Sequence, residues 1–166
     1  MRSLTTKIIV AAACIMTLAA CSSIDCPLNH SVCIKMQFAP PVDTLHDTLT
    51  IFTPVDISNP EKDTVLINRI VNITSVAVPM SYSRSEDAFV LDITQTDTRL
   101  HTLDTIWVTK EDEPHFESVD CSPTFFHTIT GVRHTNTVIE SVKINYNKVT
   151  YDDAQPHLLI YLKERN

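Results

Sequence analysis

Nine short segments constrain the fold of this chain more than any other feature. Each is rich in β-branched or aromatic residues, and several alternate with a two-residue apolar period. In SVCIKMQF (31–38), Val32, Ile34, Met36 and Phe38 alternate with Ser31, Cys33, Lys35 and Gln37. The others are LTIFT (49–53), TVLIN (64–68), ITSVAV (73–78), FVLDIT (89–94), DTIWVTK (104–110), FHTITGV (126–132), VIESVKINY (138–146) and HLLIYLK (157–163). Successive side chains of a strand point to opposite faces, so Phe89, Leu91 and Ile93 are expected on a core face, as are Leu158, Ile160 and Leu162. No segment after Cys21 sustains a helical period with a capping residue. The pattern predicts an all-β antiparallel β-sandwich, Ig-like or transthyretin-like in outline, with a small closed β-barrel as the alternative.

Only one glycine, Gly131, stands among 166 residues. Turns are therefore expected to rely on Asn, Asp and Pro, as in Ser58-Asn59-Pro60, Thr96-Asp97-Thr98 and Asp152-Asp153. The same scarcity excludes the glycine-rich phosphate cradles of nucleotide-binding proteins. The G-x-S-x-G, H-E-x-x-H and C-x-x-C patterns are absent as well, so no cofactor is expected and no catalytic residue is nominated.

The N-terminus carries an address. Arg2 and Lys7 precede a thirteen-residue apolar run, Ile8 to Ala20. That run is shorter than the roughly 20 residues a spanning helix needs, so it reads as a signal-peptide core. Leu18-Ala19-Ala20-Cys21 resembles the lipobox of bacterial lipoprotein precursors, in which the cysteine thiol takes diacylglycerol and cleavage falls just before it. Cys21 is accordingly the expected lipidation site, and several acyl chains hold a protein durably where one does not. The expected organisation is a signal peptide over 1–20, a lipidated tether over 21–32 and a single β domain over 33–166. Losing Arg2 and Lys7 takes the formal charge from −7 to −9, which disfavours nucleic acid as a partner.

Cys14 leaves with the signal, so Cys26, Cys33 and Cys121 remain. Cys33 falls in the outward phase of its segment, whereas Cys26 and Cys121 both precede proline-containing turns, in Asp25-Cys26-Pro27 and Asp120-Cys121-Ser122-Pro123. Cys26–Cys121 is the favoured pair; Cys33–Cys121, a local Cys26–Cys33 bridge and no bridge are the alternatives. Asp-Thr-aliphatic recurs at Asp43-Thr44-Leu45, Asp47-Thr48-Leu49, Asp63-Thr64-Val65 and Asp104-Thr105-Ile106. The plain meaning is the start of a strand after a turn. The sharper one is an O-glycan on Thr44, Thr48, Thr64 or Thr105, because the triplet matches the acceptor of the O-glycosylation system of Bacteroidota.

The lipobox, Asp25-Cys26-Pro27-Leu28-Asn29 and HFESVDCSPTFFHTITGVRHT (115–135) together resemble a family of small Bacteroidota envelope lipoproteins of unknown function. The resemblance covers about residues 21 to 163. It implies an all-β, envelope-anchored domain with Cys26–Cys121 as a shared framework, and it supplies no reaction, substrate or catalytic residue.

His30, His115, His127 and His134 surround the cysteine segments, but their spacing does not make a metal site: on an unbroken strand His127 and His134 point to opposite faces. Glu111-Asp112-Glu113 lacks a calcium-loop pattern. Trp107 is either an outward contact residue or a core residue between the sheets. The expected role is that of a non-catalytic lipoprotein anchored to the outer membrane, an interaction or structural module of the cell envelope, with a ligand-binding lipoprotein for glycan, lipid or metal as the alternative. The expected partners are the membrane, through the lipid, and an envelope protein. Ser22 after the anchor favours the outer membrane, and the single acid Asp25 favours its periplasmic face over the cell surface.

Overall fold

A computed structural model describes residues 32–54 and 63–164. Those residues form ten strands: β1 (Cys33–Ala39), β2 (Thr48–Thr53), β3 (Thr64–Ile70), β4 (Ser75–Pro79), β5 (Glu86–Thr94), β6 (His101–His115), β7 (Thr124–His134), β8 (Ile139–Ile144), β9 (Lys148–Val149) and β10 (Leu158–Leu162). They make a four-stranded sheet, β4-β1-β10-β8, and a six-stranded sheet, β3-β2-β5-β6-β7-β9. Among the described residues no helix is long and apolar enough to cross a membrane.

The predicted alternation locates the core. Ile34, Met36 and Phe38 on β1 and Leu158 and Ile160 on β10 are buried. They face Leu49 and Ile51 of β2, Phe89 and Leu91 of β5, and Ile106 and Val108 of β6, in one continuous apolar cluster. Burying each such side chain contributes about 1.5–3 kcal/mol, which is why the period specifies the register of the strands. Cys33 is half-buried in the outward phase, as expected.

Three features depart from the sequence reading. The small sheet is not wholly antiparallel, because β1 and β10 pair in parallel, Met36 opposite Leu158 through Ala39 opposite Tyr161. The two strands come from opposite ends of the domain, so no hairpin imposes a direction on them. Next, β6 and β7 continue well past the predicted limits of 104–110 and 126–132, with Lys110 opposite Ile129 and His115 opposite Thr124. The apolar period stops at Lys110 only because polar side chains occupy the inward positions beyond it. Finally, left-handed φ angles of 53°, 55° and 61° fall on Arg69, Asn72 and Arg99, Arg69 inside β3 where its pairing with β2 shifts register and the other two in connections. Two arginines thus adopt a conformation usually given to glycine, at roughly 1–2 kcal/mol apiece.

His157 also leaves its predicted polar phase. It is buried where β10 begins, and its Nδ1 accepts the Lys35 amide at 2.8 Å. Its own amide donates to the Lys35 carbonyl at 2.8 Å, so the imidazole completes a ladder that the backbone alone leaves open. Burial, outweighing the Lys148 backbone, holds this imidazole below its ordinary pKa, the direction expected for desolvation of a cation.

The chain passes between the sheets repeatedly, and buried aspartates fasten the passages. Asp104, only 1% exposed on β6, serves the crossing from β7 to β8. One carboxylate oxygen accepts Thr135 Oγ1 at 2.5 Å and the Thr137 amide at 2.9 Å. The other accepts the amides of Val138 at 2.7 Å and Ile139 at 2.9 Å. Asp87 accepts the Ser81 amide at 3.0 Å in the crossing from β4 to β5, and Asp47 accepts the Thr96 amide at 3.3 Å at the β5–β6 turn. Asp104 therefore stands inside a strand, not at its start as the Asp-Thr-aliphatic reading expected.

Burial alone would raise the Asp104 carboxyl, but the donors around it prevail and hold it below the usual aspartate value. A lowered carboxylate pKa contributes stability above the unfolded-state value and loses it as pH falls through the folded one. Asp104→Asn keeps the shape but turns an NH₂ toward backbone amides. It is expected to cost about 2–4 kcal/mol in urea unfolding at neutral pH. The acid loss of stability below about pH 4 should be shallower in the variant than in the parent.

Candidate functional site

The extended arm of β6 and β7 and the chain between β4 and β5 enclose an open groove of about 430 Å³ at one end of the sandwich. Val32, Pro79 and Met80 line one side, and Pro123, Thr124 and Phe125 the other. Two aromatic rings meet across it: Tyr82 and Phe125 stack with centroids 5.2 Å apart and planes 13° from parallel. Tyr82 is 69% exposed. Offset stacking of this kind adds about 0.5–1.5 kcal/mol beyond area burial and gives the opening a fixed apolar lip.

Charged groups lie beneath this groove. His127 is buried and lines its floor. Its Nδ1 lies 2.7 Å from Asp112 Oδ1. The side chain of Lys110 has no solvent exposure, and its Nζ lies 2.5 Å from the same Asp112 oxygen and donates to the Arg84 carbonyl at 2.8 Å. Asp87 is buried close by, and burial raises its carboxyl above the ordinary value against the Ser81 amide and the Lys110 and Arg84 charges. Burial also tends to raise Asp112, but hydrogen bonds from Lys110 and His127 hold it low. A buried ammonium is tolerable only with such partners. The set is a closed charge network carrying a fixed polar floor.

A register shift between Thr109 and Lys110 sets this geometry. Thr109 faces Gly131, whereas Lys110 faces Ile129, so β7 bulges by one residue. A bulge reverses the side-chain phase. His127 and Ile129 point inward before it; after it, Val132 packs toward the core and His134 pairs with inward-facing Ile106. His127 and His134 therefore share a face, contrary to the expectation for an unbroken strand. The bulge does not demand glycine: a Cβ on Gly131 would meet Thr109 at an ordinary 3.7 Å.

The remaining sequence-derived candidates scatter. Cys21, Cys26 and His30 lie outside the described residues. Cys121 is half-buried in the connection from β6 to β7. Thr48 and Thr64 open β2 and β3, in line with the strand-start reading, whereas Thr105 is inside β6. Thr64 is exposed on an edge strand; Thr44, Thr48 and Thr105 are half-buried, and Thr44 donates to Asp43 at 3.1 Å. Trp107 takes the outward phase, with the Arg133 guanidinium 4.0 Å over its ring and Arg133 paired to Glu86 at 2.7 Å. His115 stacks on Phe126 at 4.3 Å. Among the described residues no group of three or more His, Cys, Asp or Glu side chains is arranged to hold a metal. The groove and its floor were missed because Tyr82, Lys110 and Asp112 follow no motif; the one signal was a charged run that continues an inward period.

A family model described as a family of unknown function (DUF6452) matches residues 43–162, and the chain belongs to that family. The matched span contains Cys121 and begins after Cys26. No curated protein and no solved structure matches the chain.

Replacing Lys110 with Met tests the charge network. Asp87 and Asp112 then lose their shared cation, and the cost should reach about 2–4 kcal/mol, moderated by the partial exposure of Asp112. The Asp87 carboxyl should titrate higher still by carbon-13 NMR. A raised carboxyl destabilises only once it ionises, so the deficit should nearly vanish below about pH 4 and grow as pH rises.

Proposed function

We propose that this member of the family is a lipid-anchored, non-catalytic module of the bacterial cell envelope. In this reading the chain is exported, cleaved before Cys21 and acylated there. It is held at the outer membrane with its β domain on the periplasmic side, as Ser22 and the single acid Asp25 suggest, and it recruits or stabilises another envelope component. One observation carries the reading. Val32 enters the sandwich in the wall of the groove that Pro123 also lines, so the incoming tether, the Cys121 connection and the exposed aromatic stack converge at one end. The non-catalytic part draws support from the floor residues Lys110 and His127, which both bond Asp112.

The same convergence supports a Cys26–Cys121 disulfide. Cys26 precedes Val32 by six residues, a reach of about 20 Å when extended, and Cys121 lies two residues before Pro123. Cys33 stays outside any disulfide among the described residues. A loop of about 95 residues would gain up to about 4–5 kcal/mol from closure. Thr64 is the O-glycan site we favour, by its exposure. A second reading, a ligand-binding lipoprotein, draws support from the groove itself, whose parallel rings over a histidine floor suit a small sugar or a lipid segment.

Fractionation after labelling with radioactive palmitate tests the anchor. The parent should label and sediment with outer membranes, and Cys21→Ala should neither label nor sediment. A soluble, unlabelled parent that keeps residues 1–20 overturns the proposal. Affinity purification from detergent extracts should recover a reproducible protein partner; a bound small molecule with no partner favours the second reading. Protease added to intact cells should spare the domain.

Peptide mapping of native protein without reductant should yield one species joining the Cys26 and Cys121 peptides, with a hexose-containing mass on the Thr64 peptide. Unlinked Cys121 peptide, or unmodified Thr64, would remove the corresponding claim.

A further inference from the structure

We infer that the tip of the β6–β7 arm rests in the headgroup layer of the leaflet that receives the lipid on Cys21. The inference rests on the anchor proposed above and adds an orientation to it. Beyond the first residue of β5, which pairs Glu86 with Thr109, β6 and β7 continue, from Lys110 opposite Ile129 to His115 opposite Thr124, and the short β9 accompanies β7 only at His127 and Thr128. The connection at their tip carries Phe116, 59% exposed, and Val119, 96% exposed. Exposed Tyr82 stands beside the arm on Phe125. Apolar and aromatic side chains gathered at one end of a domain are what an interfacial contact requires, the ring of a tyrosine being suited to the headgroup level.

The length of chain before the described residues selects the bilayer as the occupant. Val32 follows Cys21 by eleven residues, at most about 40 Å when extended. With Cys26 joined to Cys121, the bridge follows the acylated residue by only five positions, or about 18 Å at most. The Cys121 connection is then the part of the domain tied nearest the lipid, and Phe116 and Val119 lie within that connection. Glu117 and Asp120 flank them, which directs the contact to zwitterionic headgroups and away from anionic ones. Other exposed apolar side chains, such as Val71 and Leu100, belong to connections at the far end of the sandwich and cannot share the contact.

The full lipidated protein carries its own control. Trp107 sits under Arg133 on the outer sheet face, away from the tip, and is the only tryptophan. Val119→Trp and, separately, Val71→Trp would be reconstituted with vesicles of phosphatidylcholine and phosphatidylethanolamine bearing brominated acyl chains. Quenching of Val119→Trp should exceed that of Val71→Trp and of the parent several-fold. Flotation with the vesicles but equal quenching at both positions overturns the docking while the anchor stands, and leaves the patch to a protein partner. Failure of every variant and the parent to float removes the anchor and the docking together.

Discussion

The carboxylate of Asp104 is the constraint on which the arrangement of the two sheets depends. A sandwich whose chain passes between layers must bend away from its ladders at each passage, and every bend strands backbone amides that need acceptors. At the passage from β7 to β8, three consecutive amides and a threonine hydroxyl converge on one buried side chain. Asp87 does a smaller version of the same task, and Asp47 does so at the β5–β6 turn within one sheet. A carboxylate suits the task because it accepts at both oxygens and donates at neither, and charge-assisted bonds are about twice as strong as neutral ones. With a single glycine in the chain, tight glycine turns are not available to shorten these passages.

The end of the sandwich that carries the groove follows from a second constraint. Past the bulge at Gly131, β6 and β7 run beyond the end of β5, with β9 beside His127 and Thr128 and with Val32, Pro79 and Met80 across the groove. The inward positions there are taken by Lys110, Asp112 and His127, which satisfy one another. A polar network of this kind adds to the apolar packing of Ile129, Phe126 and Val149 in holding the arm, since each group loses its partner if the others move. Above that floor the surface is apolar, with Tyr82, Phe125, Met80 and two prolines. Stiffness below and apolar surface above would suit the contact role proposed above, and they lie beside Val32, where the described residues begin.

Legibility in the sequence varied with the reach of the interactions involved. The burial phases of β1, β5 and β10 were readable because alternation reports a local property, the direction of each side chain. Asp104-Thr105-Ile106 looked like the start of a strand, because an aspartate buried on a core face looks, in sequence, like one ending a turn. The phase of Trp107 was undecided until its neighbours Ile106 and Val108 proved fully buried. His127 and His134 seemed to diverge, since a one-residue bulge leaves no mark beyond a glycine.

The sequence by itself determined the all-β class, the core phase of β1, β5 and β10, the loss of glycine-dependent sites, and the lipobox motif on which the anchor proposal stands. Each is written in neighbouring residues or in composition, so one linear reading suffices. Tertiary structure alone decided that β1 and β10 run parallel, that Asp104 holds the β7–β8 passage, and that Tyr82 meets Phe125 over His127. Those outcomes join residues tens of positions apart, and packing and hydrogen-bond satisfaction select among pairings that the linear pattern leaves equivalent.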